Sequence, residues 1–345
     1  MKIVLGMSGG VDSAAAAYLL QQAGYTVYGV TLVMDPAVMP DVEGAKRTAD
    51  RLGIAHAVLD CSAAFSSQVL ADFADRYRDG ETPNPCVVCN PTVKFAALLS
   101  YMRKIGAEKI ATGHYADVRY NEQTAKYELM RGFDRLKDQS YMLYRLTQEQ
   151  LAYTLFPLNG MEKPEIRALA EKNQLLPTIP KDSMDICFLP DGDYAGYLER
   201  KYGFCKQTGD FLDANGQKIG THEGHWRYTV GQRKGLGLAV GAPIYVTEKD
   251  AQTNRVYVGA ESELFADTCI LRDFCLISEP LPDLPLTAKV RYSRSESETI
   301  LEFLPENHAK LTFSNSQRAM TRGQSAVIYQ GERVIGGGFI EQVTR

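Results

Sequence analysis

The sequence predicts an α/β N-terminal domain with a parallel sheet flanked by helices (residues 1–192), a small mostly-β central linking domain (193–261) and a C-terminal β-barrel (262–345). Three observations carry that expectation. Strand-like and helix-like segments alternate over the first half, the pattern of a parallel sheet wound with helices. From Lys206 to Gly241 glycine is dense and helical periodicity is absent. Beyond Glu261 short apolar runs recur between turn residues, the pattern of a small antiparallel barrel.

In the first part the apolar runs Ile3–Leu5, Val27–Val33, Ala57–Leu59 and Lys109–Thr112 read as strands. Asp12–Gln22, Val42–Leu52, Ser66–Tyr77 and Val93–Ile105 read as the intervening helices. Glu165–Lys172 continues the pattern, with Pro164 where a first-turn proline belongs. In the last part Ala288–Tyr292, Ile300–Phe303, Ala309–Phe313, Ser325–Tyr329 and Val334–Ile340 read as strands, the last two joined by a hairpin turn at Gln330-Gly331-Glu332.

At 345 residues and 45 % hydrophobic content, the chain can build two or three cores. No apolar run is long enough to span a bilayer, and the N-terminus runs straight into a strand, so a cytoplasmic protein is expected. Seven cysteines at irregular spacing do not form a disulfide framework. A net charge of −4 excludes a polycation, so any nucleic-acid binding must use a local basic surface.

Ser8-Gly9-Gly10-Val11-Asp12-Ser13 stands between the first strand and the first helix. Such a turn points backbone N–H groups at one spot and binds anions, and its glycines admit a phosphate closely. Ser8 and Ser13 add hydroxyl donors. No lysine follows, which separates the loop from the GxxxxGK(S/T) type, and Asp12 would meet phosphate through a bound Mg²⁺. An ordinary capped strand-to-helix turn is the plain alternative.

The second signal is Thr82-Pro83-Asn84-Pro85-Cys86-Val87-Val88-Cys89-Asn90, a stiff loop leading to a helix start. A cysteine placed there is expected to have a lowered thiol pKa. Taken alone, the CxxC is half a zinc site, a redox pair, part of a cluster or two buried residues. Cys61, Cys205, Cys269 and Cys275 read as buried core thiols, and so does Cys187 on its local context alone.

The first loop resembles the SGGxDS loop of the PP-loop ATP pyrophosphatases. Four strings together resemble the tRNA-specific 2-thiouridylases: GMSGGVDS at 6–13, TPNPCVVCN at 82–90, ATGHYA at 111–116 and KDSMDICF at 181–188. YTVGQRKGLG at 228–237, Lys289-Val290-Arg291-Tyr292 and Gly323-Gln324-Ser325-Ala326-Val327 extend the likeness to the C-terminal part.

The resemblance implies an enzyme that uses ATP with Mg²⁺ to adenylate the C2 oxygen of the wobble uridine of tRNA and replaces that oxygen with sulfur, releasing pyrophosphate and AMP. It implies ATP contacts at Gly6, Met7, Ser8, Gly9, Gly10, Val11, Asp12, Ser13, Leu32 and Gly113. Cys187 would carry a persulfide and Cys89 would be its partner. Asn84 and Pro85, with Cys86, would face the target base. His114, Lys137, Asp138, Gln139, Arg233, Lys234, Arg291, Tyr292 and Gln324 would meet the tRNA anticodon arm. On their own residues, Lys137–Gln139 and Arg233-Lys234 are exposed turns and His114 is a loop histidine. The implied sulfur donor is a cysteine desulfurase, a sulfur-relay protein or free sulfide.

Two positions depart from the family pattern. Cys86 stands where many members have Asp, and Pro91 where many have Lys. Cys86 therefore joins the catalytic candidates, and Cys86, Cys89 and Cys187 could instead ligate a 4Fe–4S cluster with one open iron. The competing readings are another PP-loop adenylating ligase acting on a small molecule, which needs no cysteine triplet, and a non-catalytic RNA-binding or sulfur-carrier protein.

Overall fold

The computed structural model describes residues 1–175, 186–239 and 241–344. The N-terminal sheet contains β1 (Lys2–Gly6), β2 (Thr26–Val33), β3 (Ala55–Asp60), β4 (Lys109–Ala111) and β7 (Thr154–Leu155), all parallel, in the order β3-β2-β1-β4-β7. β1 is central, and Ile3, Val4 and Leu5 are fully buried there. Helix Val11–Gln22 lies against the sheet through Ala14, Ala15, Ala16 and Ala17, whose small side chains permit a close approach. Asp41 caps helix Val42–Leu52 by accepting from the Gly44 N–H (2.8 Å), and Gly53 ends it in the left-handed conformation. Helix Lys163–Lys172 carries its proline in the first turn and buries Ile166 and Ala170.

Two helices differ from the sequence pattern in the same way. The segment expected as Ser66–Tyr77 begins earlier, at helix Ser62–Phe65, and passes through a π-helical turn, Ser66–Leu70, before helix Ala71–Arg78. The segment expected as Val93–Ile105 is preceded by helix Pro85–Cys89 and a second π turn, Asn90–Lys94, which leads into helix Phe95–Lys104. Periodicity at 3.6 residues cannot register an inserted residue of this kind.

The segment between β4 and β7 holds an antiparallel hairpin, β5 (Ala116–Asn121) and β6 (Lys126–Arg131). The central part is a four-stranded sheet of β8 (Gly209–Leu212), β9 (Lys218–His222), β10 (Tyr245–Asp250) and β11 (Arg255–Gly259), ordered β10-β11-β8-β9. The last part contains β12 (Phe265–Leu276), β13 (Leu286–Lys289), β14 (Ser297–Leu304), β15 (His308–Arg318), β16 (Ser325–Gln330) and β17 (Arg333–Thr344). These run β12-β15-β14-β13-β16-β17, and pairing of β12 with β17 closes a six-stranded barrel. The expected α/β, mostly-β and β-barrel succession is therefore borne out.

The barrel is joined to the N-terminal part by more than the chain. β6 pairs with β17 through Met130 and Arg333, and Arg131 reaches back to the Gly331 carbonyl (3.0 Å) and to Glu296 (2.6 Å). Ser140, Tyr141, Leu143 and Tyr144 are fully buried. The Tyr141 hydroxyl donates to the Ser325 carbonyl (2.8 Å), and Tyr144 and Ser325 share a hydrogen bond of 3.1 Å between hydroxyls. One hydrophobic core holds Val4, Phe95 and Leu98 together with Val327, Tyr329 and Phe339 of the barrel. The stretch that reads locally as an exposed turn is thus followed at once by an interdomain plug.

Cysteine burial agrees with expectation at Cys61 and Cys269. Cys275 is half-buried in β12. Cys205 and Cys187 are exposed, which corrects the core reading of each. Cys205 lies just past the left-handed Gly203 that ends helix Tyr194–Tyr202, and its Sγ donates to the Gly203 carbonyl (3.4 Å).

Candidate active site at the carboxyl edge of the sheet

Parallel strands present ligands at their carboxyl ends. Here Met7–Ser13 follows β1, Asp35 follows β2, Cys61 follows β3 and Thr112–His114 follows β4. Gly6 closes β1, and Met7 is buried, its N–H donating to the Val30 carbonyl (2.8 Å) while the Thr31 hydroxyl donates to the Met7 carbonyl (2.8 Å). Gly9 turns the chain at a φ of +83°, a conformation that favours glycine. The Ser8 N–H donates to Ser13 Oγ (3.2 Å), and Ser13 Oγ donates to the Gly10 carbonyl (3.0 Å). The Ser13 hydroxyl, expected as a ligand donor, is spent bracing the turn.

Val11 begins the helix, whose first-turn N–H groups have no intrahelical acceptor and form an anion site. Gly113 lies flat against this start: a Cβ there would stand 3.1 Å from the Asp12 carbonyl carbon and 3.2 Å from the Ser13 nitrogen. Leu32, near the end of β2, is partly buried against the core.

The lysine missing from the loop arrives from far along the chain. Lys163 Nζ donates to both Asp12 oxygens (2.7 and 2.8 Å), and the Tyr115 hydroxyl donates to Asp12 Oδ1 (2.7 Å). Lys163 is held in turn by Asp134, which accepts from its backbone N–H (2.9 Å). A cation thus stands at the phosphate loop where the sequence suggests only a metal. The separation of 151 residues hid it.

The thiols are gathered by packing. Asn84 caps helix Pro85–Cys89 by accepting from the Cys86 N–H (3.1 Å), with the buried Pro85 in its first turn. Cys89 is buried with Phe73, Val93 and Phe188, so the segment after residue 185 lies on the same cluster. Residues 181–185 of the KDSMDICF string lie outside the described residues; Ile186, Cys187 and Phe188 lie within them.

The expected lowering of the thiol pKa does not occur. Burial pushes Cys86 up to about 11 and Cys89 up to about 12, against the pull of Lys94 on both. Cys187, although exposed, is also raised by the protein packed round its sulfur, and Lys94 opposes that shift too. A five-residue helix supplies too little dipole to offset desolvation.

The geometry lends the three-cysteine cluster no support. Among the described residues no three His, Cys, Asp or Glu side chains converge as a metal-ion site.

His114 is fixed between two partners. Its Nε2 accepts from Lys94 Nζ (3.4 Å), its Nδ1 lies 2.8 Å from the Thr112 hydroxyl, and its ring stacks on Phe95. Burial and Lys94 drive its pKa well below the ordinary value, so it is neutral and Nδ1–H donates to Thr112.

The remaining sequence candidates divide into groups. Gln324 Nε2 donates to the Thr82 carbonyl (2.7 Å), tying the barrel to the root of the thiol loop. Tyr292 is exposed and packs its ring on Tyr141 at 5.8 Å, with Arg291 half-buried beside it. Gln139 holds both the N–H (3.1 Å) and the carbonyl (2.9 Å) of Tyr115, next to the half-buried Lys137. Asp138 is buried and accepts from Gly132 N–H, Ser140 N–H and the Ser140 hydroxyl, so its carboxylate is engaged internally. Arg233 and Lys234 are exposed on the glycine-rich stretch of the central part.

The fold and this edge define an α/β nucleotide-site domain with a thiol group set beside its phosphate loop. A family model described as tRNA methyl transferase HUP domain matches residues 1–191. Models described as tRNA methyl transferase PRC-barrel domain and Aminomethyltransferase beta-barrel domain match 197–260 and 266–340. The chain is 42 % identical to tRNA-specific 2-thiouridylase MnmA 1 of Caldanaerobacter subterraneus subsp. tengcongensis, covering 100 % of this chain and 99 % of that one. It is 41 % identical to the MnmA enzyme of Treponema denticola over 100 % and 99 %, and 43 % identical to that of Heliobacterium modesticaldum over 98 % and 92 %. The chain belongs to the tRNA-specific 2-thiouridylase family.

Proposed function

We infer that this protein is an ATP-dependent tRNA uridine 2-sulfurtransferase. Full-length identity near 40 % to enzymes named for that reaction carries the inference. The family model's own description speaks of methyl transfer, but paired thiols beside a phosphate loop suit sulfur transfer. An adenylating ligase for a small molecule has no use for Cys86, Cys89 and Cys187.

In this reading the loop from Gly6 to Ser13, with Leu32 and Gly113, binds ATP, and Lys163 bears on its phosphates. Mg²⁺, through Asp12, would supply charge neutralisation of the triphosphate. The uridine O2 attacks the α-phosphorus, pyrophosphate leaves, and O2 becomes part of a good leaving group. The terminal sulfur of a persulfide on Cys187 attacks C2, and AMP departs with the C2–O2 bond. The Cys89 thiolate then attacks Cys187 Sγ, breaking the bond to the transferred sulfur. A Cys89–Cys187 disulfide forms and 2-thiouridine is released. An external thiol reductant restores the pair. Cys86 takes the place of the family's Asp beside the base, where a neutral thiol can donate a hydrogen bond.

Asn84, Pro85, His114, Lys137, Asp138, Gln139, Arg233, Lys234, Arg291, Tyr292 and Gln324 are proposed to meet the anticodon arm or to hold the groups that do. The proposed partner, in the cytoplasm, is a cysteine desulfurase or relay protein that hands over persulfide sulfur, or free sulfide that opens the Cys89–Cys187 disulfide to give the Cys187 persulfide and the Cys89 thiol. Among the described residues no helix is long and apolar enough to cross a membrane. The test is AMP release from ATP with and without tRNA, alongside nucleoside analysis. tRNA-stimulated AMP with 2-thiouridine at the wobble position supports the reading. AMP release stimulated instead by a small carboxylate or amide acceptor overturns it.

A further inference from the structure

A second lysine stands among the thiols, and the helix is built irregularly to put it there. Helix Pro85–Cys89 runs into the π turn Asn90–Lys94 before resuming as helix Phe95–Lys104. In an unbroken α-helix, residues five apart point about 140° away from each other. An i→i+5 turn accommodates one extra residue per turn and brings such residues toward one face. The insertion therefore turns Lys94 toward the side that carries Cys89. Its Nζ lies 3.4 Å from His114 Nε2, at the end of β4 and beside the phosphate loop.

The charged and titratable groups around this point come from every neighbouring segment. Cys86 and Cys89 come from the same helix and Cys61 from the end of β3. Cys187 and Asp35 come from two loops and His114 from a third. Asp35 is already matched by Lys201 Nζ (2.8 Å). His114 is neutral. Among the described residues, Lys94 is a cation whose charge reaches all three thiols.

We propose that Lys94 is the counter-cation of sulfur transfer, held by the π turn and by His114 so that its ammonium faces the anionic sulfur carried on Cys187 and the Cys89 sulfur that displaces it. This rests on the sulfurtransferase reading. Lys94 forms and breaks no bond; it offsets the charge of sulfur brought into a low-dielectric site, where an uncompensated anion is costly. His114 is the positioning residue, accepting from Nζ with Nδ1–H anchored on Thr112.

The experiment reads the local charge and needs no tRNA. In the full-length protein, site-resolved mass spectrometry follows alkylation of the exposed Cys187 by neutral iodoacetamide and by anionic iodoacetate. A neighbouring cation favours the anionic reagent. Lys94→Met is expected to lower the iodoacetate-to-iodoacetamide rate ratio at least threefold, and Lys94→Arg to keep it within twofold of wild type. Lys94→Gln serves if the methionine variant does not fold. An unchanged ratio in a folded Lys94→Met or Lys94→Gln variant overturns the proposal. Because the wild-type assay of AMP and 2-thiouridine stands apart, failure of the sulfurtransferase reading is seen separately.

Discussion

The Lys163 ammonium lies 2.7 and 2.8 Å from the two carboxylate oxygens of Asp12, although 151 residues separate them. The contact joins the N-terminus of helix Lys163–Lys172 to the start of helix Val11–Gln22. It brings a cation to a phosphate loop that has none of its own.

Replacing Lys163 by Met should therefore remove ATP chemistry and spare RNA binding. A charge-assisted hydrogen bond is worth about 1.5–3 kcal/mol, which corresponds to a loss of ~10- to 150-fold in AMP formation. Steady-state AMP assays with tRNA-binding titrations check this. A variant that makes AMP at the wild-type rate would remove Lys163 from the site. Asp12→Ala should show the same selective loss.

Cys187→Ser should lose thiolation and retain adenylation, because the serine cannot carry the transferred sulfur while the phosphate loop is untouched. AMP and pyrophosphate release, measured beside 2-thiouridine, separates the two steps. Retained thiolation would transfer the sulfur to another residue.

Cys89 is expected to impose a rising pH profile on sulfur release. Burial raises its thiol to about 12, so below that pH the thiolate fraction grows roughly tenfold per unit. Single-turnover release measured from pH 7 to 9 should climb without reaching a plateau. The same shift has a stability consequence of definite sign. The unfolded chain ionises first, near 9, so the contribution of the neutral buried thiol is full below pH 9 and is lost as pH rises toward 12. A profile flat across pH 7–9 would exclude Cys89 as the attacking thiol.

Tyr141→Ala should loosen the barrel from the N-terminal part. The side chain is fully buried and its hydroxyl donates to the Ser325 carbonyl of β16. Large-to-small substitution of a buried aromatic costs about 3–5 kcal/mol. Denaturant unfolding followed by far-UV circular dichroism would register it. A loss below ~1 kcal/mol would mean that the plug does not couple the two parts.

Much of this architecture was legible because local pattern and burial agree. The Ile3–Leu5 run lies in a fully buried central strand, and Pro164 and the helix Val42–Leu52 fall where their residue chemistry puts them. The phosphate loop and the thiol loop were legible as motifs. What escaped depends on distance or on packing. Lys163 and Lys94 are ordinary lysines until the fold brings Asp12 and His114 to them. Both π turns look like normal helix in sequence. The hairpin Ala116–Arg131 and the plug at Ser140–Tyr144 take their meaning from the barrel, almost two hundred residues away. The thiol pKa values went against the helix-start expectation because burial outweighs the dipole of one short helical turn.

Sulfur is proposed to travel on Cys187 and to be released by Cys89. The most direct test loads anaerobically purified protein with a sulfur donor, assays iron and labile sulfide, and maps the cysteine peptides before and after adding ATP and tRNA. The expected result is no stoichiometric iron, one extra sulfur on Cys187 before turnover, and a Cys89–Cys187 disulfide with matching 2-thiouridine after it. About four irons per chain, lost on substitution of Cys86, with Cys187 free of extra sulfur, would contradict it.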